Sequence, residues 1–304
     1  MKKTAILFWV VVVFGGGDWE RMVLPSVHLM DIDVAATNSD YVYVVTDVEI
    51  YRTTDRGDSW TVITPPDVYL PYAYSGGVQL EVSYEDERLI YVYKIFDGFY
   101  RSINGGDSWI RTSDYEAWAL NTFEVPKGNS EMVYITARSG MGGFHLLRKL
   151  SPYGGFYENL FDCRAFAVSP LDTNLIYAST YAMNVSTDNG ETWSSGDSIP
   201  ILYPTEYEIH IDPYSPEIAY FTTANYAYKN DMGRNFYNLE RSIEFVYEVV
   251  INYCNPYNVA FLVGPYSPYQ PVNLIISSSS RATHFDTLFS EPVFNTAFIR
   301  NLGI

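Results

Sequence analysis

Cysteine is scarce in this chain of 304 residues: there are two, Cys163 and Cys254. Two thiols cannot build a disulfide framework or a cysteine-rich zinc site. Positive charge is also scarce. Lys plus Arg total 19 against 36 Asp plus Glu, a formal net charge of −17. A surface that neutralises phosphates along a nucleic acid is therefore excluded. Charged residues make up only 18% of the chain, below the roughly 25% of an average soluble domain. Long apolar runs are absent too. Ala5 to Phe14 is the longest, about half of the roughly 20 residues that span a bilayer. The four histidines (28, 145, 210 and 284) show no metal-ligand spacing. Neither a Ser-His-Asp or Cys-His arrangement nor a phosphate-cradling glycine loop can be read from the spacing.

What is abundant is aromatic. Phe, Trp and Tyr reach 17%, with 28 tyrosines, too apolar and aromatic for a disordered chain. At the start, Lys2 and Lys3 precede the short apolar run, and Gly15, Gly16 and Gly17 follow it. That order predicts a secretory signal peptide over residues 1–17 and a single domain over 18–304. It places the protein outside the cytoplasm, secreted, at the cell surface or in the periplasm, with no membrane span after the leader.

The body of the chain repeats. Three segments align without gaps: Thr53–Trp60, Ser102–Trp109 and Ser186–Trp193. Their pattern is Ser/Thr-x-Asp/Asn-x-Gly-x-Ser/Thr-Trp, set by Asp55, Gly57 and Trp60; Asn104, Gly106 and Trp109; and Asp188, Gly190 and Trp193. Weaker copies end at Phe156, Phe236 and Phe285. A second marker keeps phase with the first: an aromatic inside an apolar β-type run at Tyr43, Tyr91, Tyr134, Tyr177, Tyr220 and Phe261. Each unit reads as four short strands, rich in Val, Ile, Tyr and Phe and punctuated by Pro, Gly, Asn and Asp. The fold expected is all-β, a β-propeller of four-stranded antiparallel blades with six full repeats. The alternative is a seventh blade completed from Trp19–Leu24 and Pro292–Arg300.

The eight-residue pattern resembles the Asp-box, or BNR repeat, of the propellers of sialidases, sortilin-type receptors, xyloglucanase-like glycoside hydrolases and photosystem II assembly factors. The resemblance covers nearly the whole chain after the leader and implies a fold rather than an activity. It implies that the box folds a hairpin between the third and fourth strands, away from any catalytic centre. A sialidase needs converging arginines. Arg52, Arg101 and Arg148 instead recur beside the box, one per blade. A glycoside hydrolase needs two carboxylates facing across a cleft. Thr46–Arg52 loosely resembles a stretch of the xyloglucanase family but lacks its double glycine.

One constellation stands apart from the boxes. Aligned on the second-strand aromatic, Asp33, Glu81, Glu124 and His210 share one first-strand position. Asp31, Gln79, Thr122 and Glu208 fall two residues earlier. In a propeller the first strand is innermost, so Asp31, Asp33, Glu81, Glu124, Glu208 and His210 are the candidate ligand-binding residues, approaching a central channel. Clustered carboxylates hold a cation or raise each other's pKa, which makes Ca²⁺ the alternative to no cofactor at all. The competing reading is a channel lined by solvated or intra-blade-paired side chains. Tyrosines gather in two loops, Tyr69, Tyr72 and Tyr74, and Tyr266 and Tyr269, where exposed rings suit sugars or peptides. The function expected is recognition of a protein or glycan by a monomeric, non-catalytic propeller. A glycoside hydrolase is the alternative, and a fragment of a larger secreted protein the third reading.

Overall fold

Runs of β-branched and aromatic residues separated by turn-forming Gly, Pro, Asn and Asp favour short extended segments, and such segments fill this molecule. The computed structural model describes residues 9–13, 19–23, 29–46, 48–66, 68, 70, 78–94, 97–113, 119–128, 132–138, 145–151, 157–198, 208–212, 214–223, 226–232, 234–238, 246–251, 259–263, 274–278 and 286–289. They fall into two compact units, Met1–Glu116 with Ala297–Ile304, and Ala117–Thr296. No helix among the described residues is long and apolar enough to cross a membrane.

The first unit opens with β1 (Trp9–Val13), antiparallel to β2 (Trp19–Val23). Trp9–Val13 lies inside the expected leader, and Trp19–Val23, read from sequence as a lone strand, is paired here. Two four-stranded antiparallel sheets follow. The first is β3 (Leu29–Val34), β4 (Val42–Thr46), β5 (Ile50–Thr53) and β6 (Thr61–Val62). The second is β7 (Val78–Val82), β8 (Ile90–Lys94), β9 (Gly98–Ser102) and β10 (Ile110–Ser113).

The second unit holds four more sheets of the same order. These are β11 (Ala119–Glu124) to β14 (Tyr157–Asp162), with β12 (Val133–Arg138) and β13 (His145–Leu150) between; and β15 (Ala165–Val168), β16 (Ile176–Ser179), β17 (Ala182–Ser186) and β18 (Ser194–Ser198). Then come β19 (Glu208–Ile211), β20 (Ile218–Thr223), β21 (Tyr226–Asp231) and β22 (Arg234–Asn238); and β23 (Val246–Ile251), β24 (Val259–Val263), β25 (Leu274–Ser278) and β26 (Asp286–Phe289). Pro292–Arg300, the other expected lone strand, lies outside the described residues.

Strands β4 and β7 are buried along their whole length, so side chains on both of their faces are out of water. Alternating side chains of one strand then enter two different cores. In β15, Ala165 and Ala167 join Tyr177, Val185, Ile209 and Phe221 on one side. Phe166 and Val168 join Tyr134, Leu147, Ile176 and Cys163 on the other. In the first unit, Tyr43, Val45 and Ile63 meet Leu80, Ile90 and Val92 in one cluster. Each Val, Leu, Ile or Phe among them contributes roughly 1.5–3 kcal/mol by leaving water.

The second-strand aromatics set the register. Asp33 stands opposite Tyr43, Glu81 opposite Tyr91, Glu124 opposite Tyr134 and His210 opposite Tyr220. The sixth sheet departs from this spacing: Phe261 faces Val249 rather than Ile251. On the third strand, Arg52 and Arg101 lie opposite Tyr43 and Tyr91, and Lys229 lies opposite Tyr220. In the third sheet Lys149, not Arg148, takes this place opposite Tyr134, one residue away from the position the aligned boxes give. Cys163 is a free thiol in the link between β14 and β15. Burial, reinforced by the Asp162 charge, pushes that thiol far above its ordinary pKa. Cys254 lies outside the described residues.

Candidate functional site: boxes, first-strand carboxylates and a groove

The three complete boxes fold one turn three times. A Ser/Thr hydroxyl at the first position accepts from the glycine N–H: Gly57 to Thr53, Gly106 to Ser102 and Gly190 to Ser186, each at 2.8 Å. The Asp or Asn at the third position accepts from the N–H of the seventh: Ser59 to Asp55 at 2.9 Å, Ser108 to Asn104 at 2.9 Å and Thr192 to Asp188 at 2.8 Å. In the two Asp boxes the seventh-position hydroxyl donates to the second carboxylate oxygen at 2.5 Å. In the Asn box the direction reverses, and Asn104 Nδ2 donates to Ser108 Oγ at 2.9 Å. Two successive residues take the left-handed conformation, Arg56 and Gly57, Gly105 and Gly106, and Asn189 and Gly190, where glycine carries no steric cost. Hydrogen bonds from Ser59 and Thr53 hold Asp55 below the usual carboxylate range, and those from Thr192 and Ser186 do the same for Asp188. The acidity of both is accounted for inside the turn.

Two of the boxes also dock on the preceding sheet. Trp109 Nε1 donates to the Ile63 carbonyl at 2.6 Å, and Gly106 sits so close that a Cβ there would lie 2.7 Å from Ile63. Arg52 Nη1 reaches the Gly105 carbonyl at 2.7 Å and Asp107 at 3.1 Å. In the second unit a Cβ on Gly190 would lie 2.8 Å from Leu160, and the Tyr134 hydroxyl donates to Asn189. The second-strand tyrosines continue the pattern: Tyr43 donates to the Glu87 carbonyl at 2.6 Å and Tyr177 to the Pro216 carbonyl at 3.0 Å, each in the first turn of the following sheet.

The first-strand carboxylates bridge neighbouring sheets as well. Asp31 Oδ2 accepts from Leu80 N at 2.9 Å, and Asp33 Oδ2 from Val82 N at 2.7 Å. In the second unit Glu124 Oε2 accepts from Val168 N at 2.8 Å. The acceptor thus caps backbone N–H groups on the free edge of the next first strand, an edge that otherwise leaves donors unmet. Asp31, Asp33 and Glu81 are 2%, 1% and 5% exposed, so they do not form a solvated lining. His210 is half-buried, and Glu208 heads β19. The two units each hold part of the candidate set, Asp31, Asp33 and Glu81 in the first and Glu124, Glu208 and His210 in the second. Among the described residues no group of three or more His, Cys, Asp or Glu is placed to hold a metal ion.

No sequence signal points to a groove in the first unit, of about 530 Å³, where the fourth strand of one sheet meets the box of the next. Val62, Ile63, Thr64, Pro66, Asp107 and Trp109 line it. Apolar surface stands exposed beside it at Val62 and Ile110. Its lining holds one carboxylate, Asp107, and so no opposed carboxylate pair. The tyrosine loops, with Tyr69, Tyr72, Tyr74, Tyr266 and Tyr269, lie outside the described residues.

No protein-family model matches the sequence, and no curated protein aligns with it. Solved structures do resemble it in fold. The GH74 xyloglucanase from Xanthomonas campestris superposes with a TM-score of 0.60 at 14% identity, covering 90% of this chain and 55% of the enzyme. A YCF48 structure bound to a D1 peptide gives 0.61 at 16%, covering 84% and 86%. YCF48 from Cyanidioschyzon merolae gives 0.60 at 13%, covering 94% and 90%. The chain spans about half the length of the xyloglucanases it resembles. Identities this low establish the β-propeller fold and no more.

Proposed function

We propose that this chain is an exported β-propeller, six four-stranded blades carrying Asp-box hairpins, that recognises a protein or glycan as a monomer and catalyses no reaction. The observation that carries this reading is the placement of the first-strand carboxylates. Asp31, Asp33 and Glu124 accept backbone N–H groups of the adjacent strand. A hydrolase needs its carboxylates facing a substrate. The likeness to YCF48 over most of both chains supports the same reading, since one of those structures holds a peptide. A glycoside hydrolase is the second reading, favoured by the likeness to the xyloglucanases.

The purified chain, with and without Ca²⁺, incubated with xyloglucan, other polysaccharides and sialosides, separates the two. Recognition requires that no reducing ends or free sialic acid appear while a glycan or peptide array shows saturable binding. Release that disappears in Glu81→Gln or Asp33→Asn, in variants that keep the parent's urea midpoint, overturns it. A Ca²⁺ isotherm with a measurable heat, lost in Glu81→Gln, would place a cation beside Glu81.

A further inference from the structure

In each sheet the first and third turns emerge on the same face, since the strands alternate in direction. Backbone bonds tie them together: Asn189 N donates to the Asn174 carbonyl at 2.9 Å in the fourth sheet, and Met232 N to the Glu217 carbonyl at 2.8 Å in the fifth. On this face of these two neighbouring sheets three large apolar side chains stand in water. Leu171 is 55%, Tyr214 52% and Met232 40% exposed. Leu171 and Tyr214 hold the same place in successive first turns, each two residues after a capping side chain. Ser169 Oγ accepts from Leu171 N at 3.3 Å and from Asp172 N at 3.2 Å. Asp212 Oδ1 accepts from Tyr214 N at 2.9 Å and from Ser215 N at 3.0 Å. The buried Tyr177 hydroxyl joins the two sheets by meeting both the Pro216 carbonyl and, at 3.4 Å, Met232 Sδ. Isolated exposed apolar residues are ordinary, but a group on one face marks an interaction surface.

The charge around these side chains is mainly negative. Asp172, Glu191 and Glu217 are exposed in the same turns, and Asp188 and Asp231 flank them. Arg234 is the one basic residue in these four turns. We propose that this turn face docks an extended cationic protein segment, its Lys or Arg residues alternating with aliphatic or aromatic ones. The apolar side chains cover Leu171, Tyr214 and Met232, and the cations meet the acidic rim, which a chain of net charge −17 reinforces at long range. This names the partner of the recognition reading and rests on it.

The test uses the full chain and three labelled synthetic dodecapeptides: alternating Lys and Leu, alternating Glu and Leu, and alternating Lys and Ser. Fluorescence anisotropy is expected to show saturable binding of the Lys–Leu peptide, weaker at high salt, with the other two at least about tenfold weaker. Replacing Leu171, Tyr214 and Met232 together by Ser should weaken the Lys–Leu peptide by about tenfold or more, and so should Asp172→Lys with Glu217→Lys. All five positions are exposed, and unchanged urea midpoints confirm folding. Val62→Ser in the other unit should leave binding as it was. The proposal falls if the Lys–Ser peptide binds as well as Lys–Leu, if neither set of variants weakens binding, or if no peptide binds. Binding lost only in Val62→Ser would overturn this surface and leave the recognition reading standing. Sugar release without any peptide binding would end both.

Discussion

Position four of the box, just before its glycine, is Gly105 in the second sheet, Asn189 in the fourth and Arg56 in the first. All three boxes share the left-handed backbone there, with φ of 72°, 62° and 58°, and the same two bonds from backbone N–H groups to box side chains. Their surroundings differ. Gly105 leaves room for the Arg52 guanidinium, which a Cβ would meet at 2.6 Å. Asn189 instead extends a carbonyl that accepts the Tyr134 hydroxyl. Arg56 turns outward to Asp40 at 2.5 Å, with both side chains largely exposed. The turn is a self-contained unit, and the residue before its glycine is matched to whatever the box docks against.

The largest effect that tests this comparison is at the docking glycine. Gly106→Val should destabilise the chain by about 3 kcal/mol, because it adds a β-branched side chain at φ 94° against Ile63. Equilibrium urea unfolding reads it, and Gly57→Val, whose glycine is half-buried, should cost less. An equal cost at both positions would mean that backbone strain, not docking, governs the glycine.

Next is the other contact between sheets. Asp33→Ala orphans the Val82 N–H on a buried edge and should cost about 1–3 kcal/mol. Asp58→Ala, on the exposed rim of the first box, should stay within about 0.5 kcal/mol. A near-neutral Asp33→Ala would free that carboxylate from its structural duty and return it to the list of binding groups.

The sharpest version is an exchange. Gly105→Asn should displace Arg52 from the Gly105 carbonyl and Asp107, and Asn189→Gly should remove the acceptor of Tyr134, each costing about 1 kcal/mol. Arg56→Gly should be within about 0.5 kcal/mol of neutral, because relief of its left-handed backbone offsets an exposed ion pair. If all three substitutions had the same effect, position four would not encode the neighbour.

How far the sequence foretold this can be argued from the same residues. Box and second-strand tyrosine are spaced along one chain, so their common interval near the length of a four-stranded unit is visible without coordinates, and so is the opposition of Asp33 to Tyr43. Contacts between sheets are not. Nothing in the string Ile32-Asp33-Val34 says that the carboxylate reaches Val82, because that bond joins residues 49 apart. The grouping of Leu171, Tyr214 and Met232 is hidden for the same reason, two turns of one sheet and one of its neighbour having to be brought to one face. The slip between Arg148 and Lys149 shows the limit of alignment. A one-residue difference in spacing between strand and box changes which residue stands opposite the tyrosine.

The smallest effect compares the chemistry of the third position. Asp55 and Asp188 are held below the ordinary carboxylate pKa by hydrogen bonds, chiefly from Ser59 and from Thr192. A depressed folded pKa adds stability that is fully present above the unfolded value of about 3.9 and is lost as pH falls through the folded one. Asn104 makes the same backbone contact to Ser108 and does not titrate. Native-state hydrogen exchange, corrected for intrinsic rates, should therefore show the Ser59 and Thr192 amides losing protection below the ordinary carboxylate range while Ser108 holds its own. Asp55→Asn should make Ser59 behave like Ser108. Parallel loss at all three amides would mean that acid loosens the sheets first and the turns only follow, so that the boxes depend on their docking more than on their own hydrogen bonds.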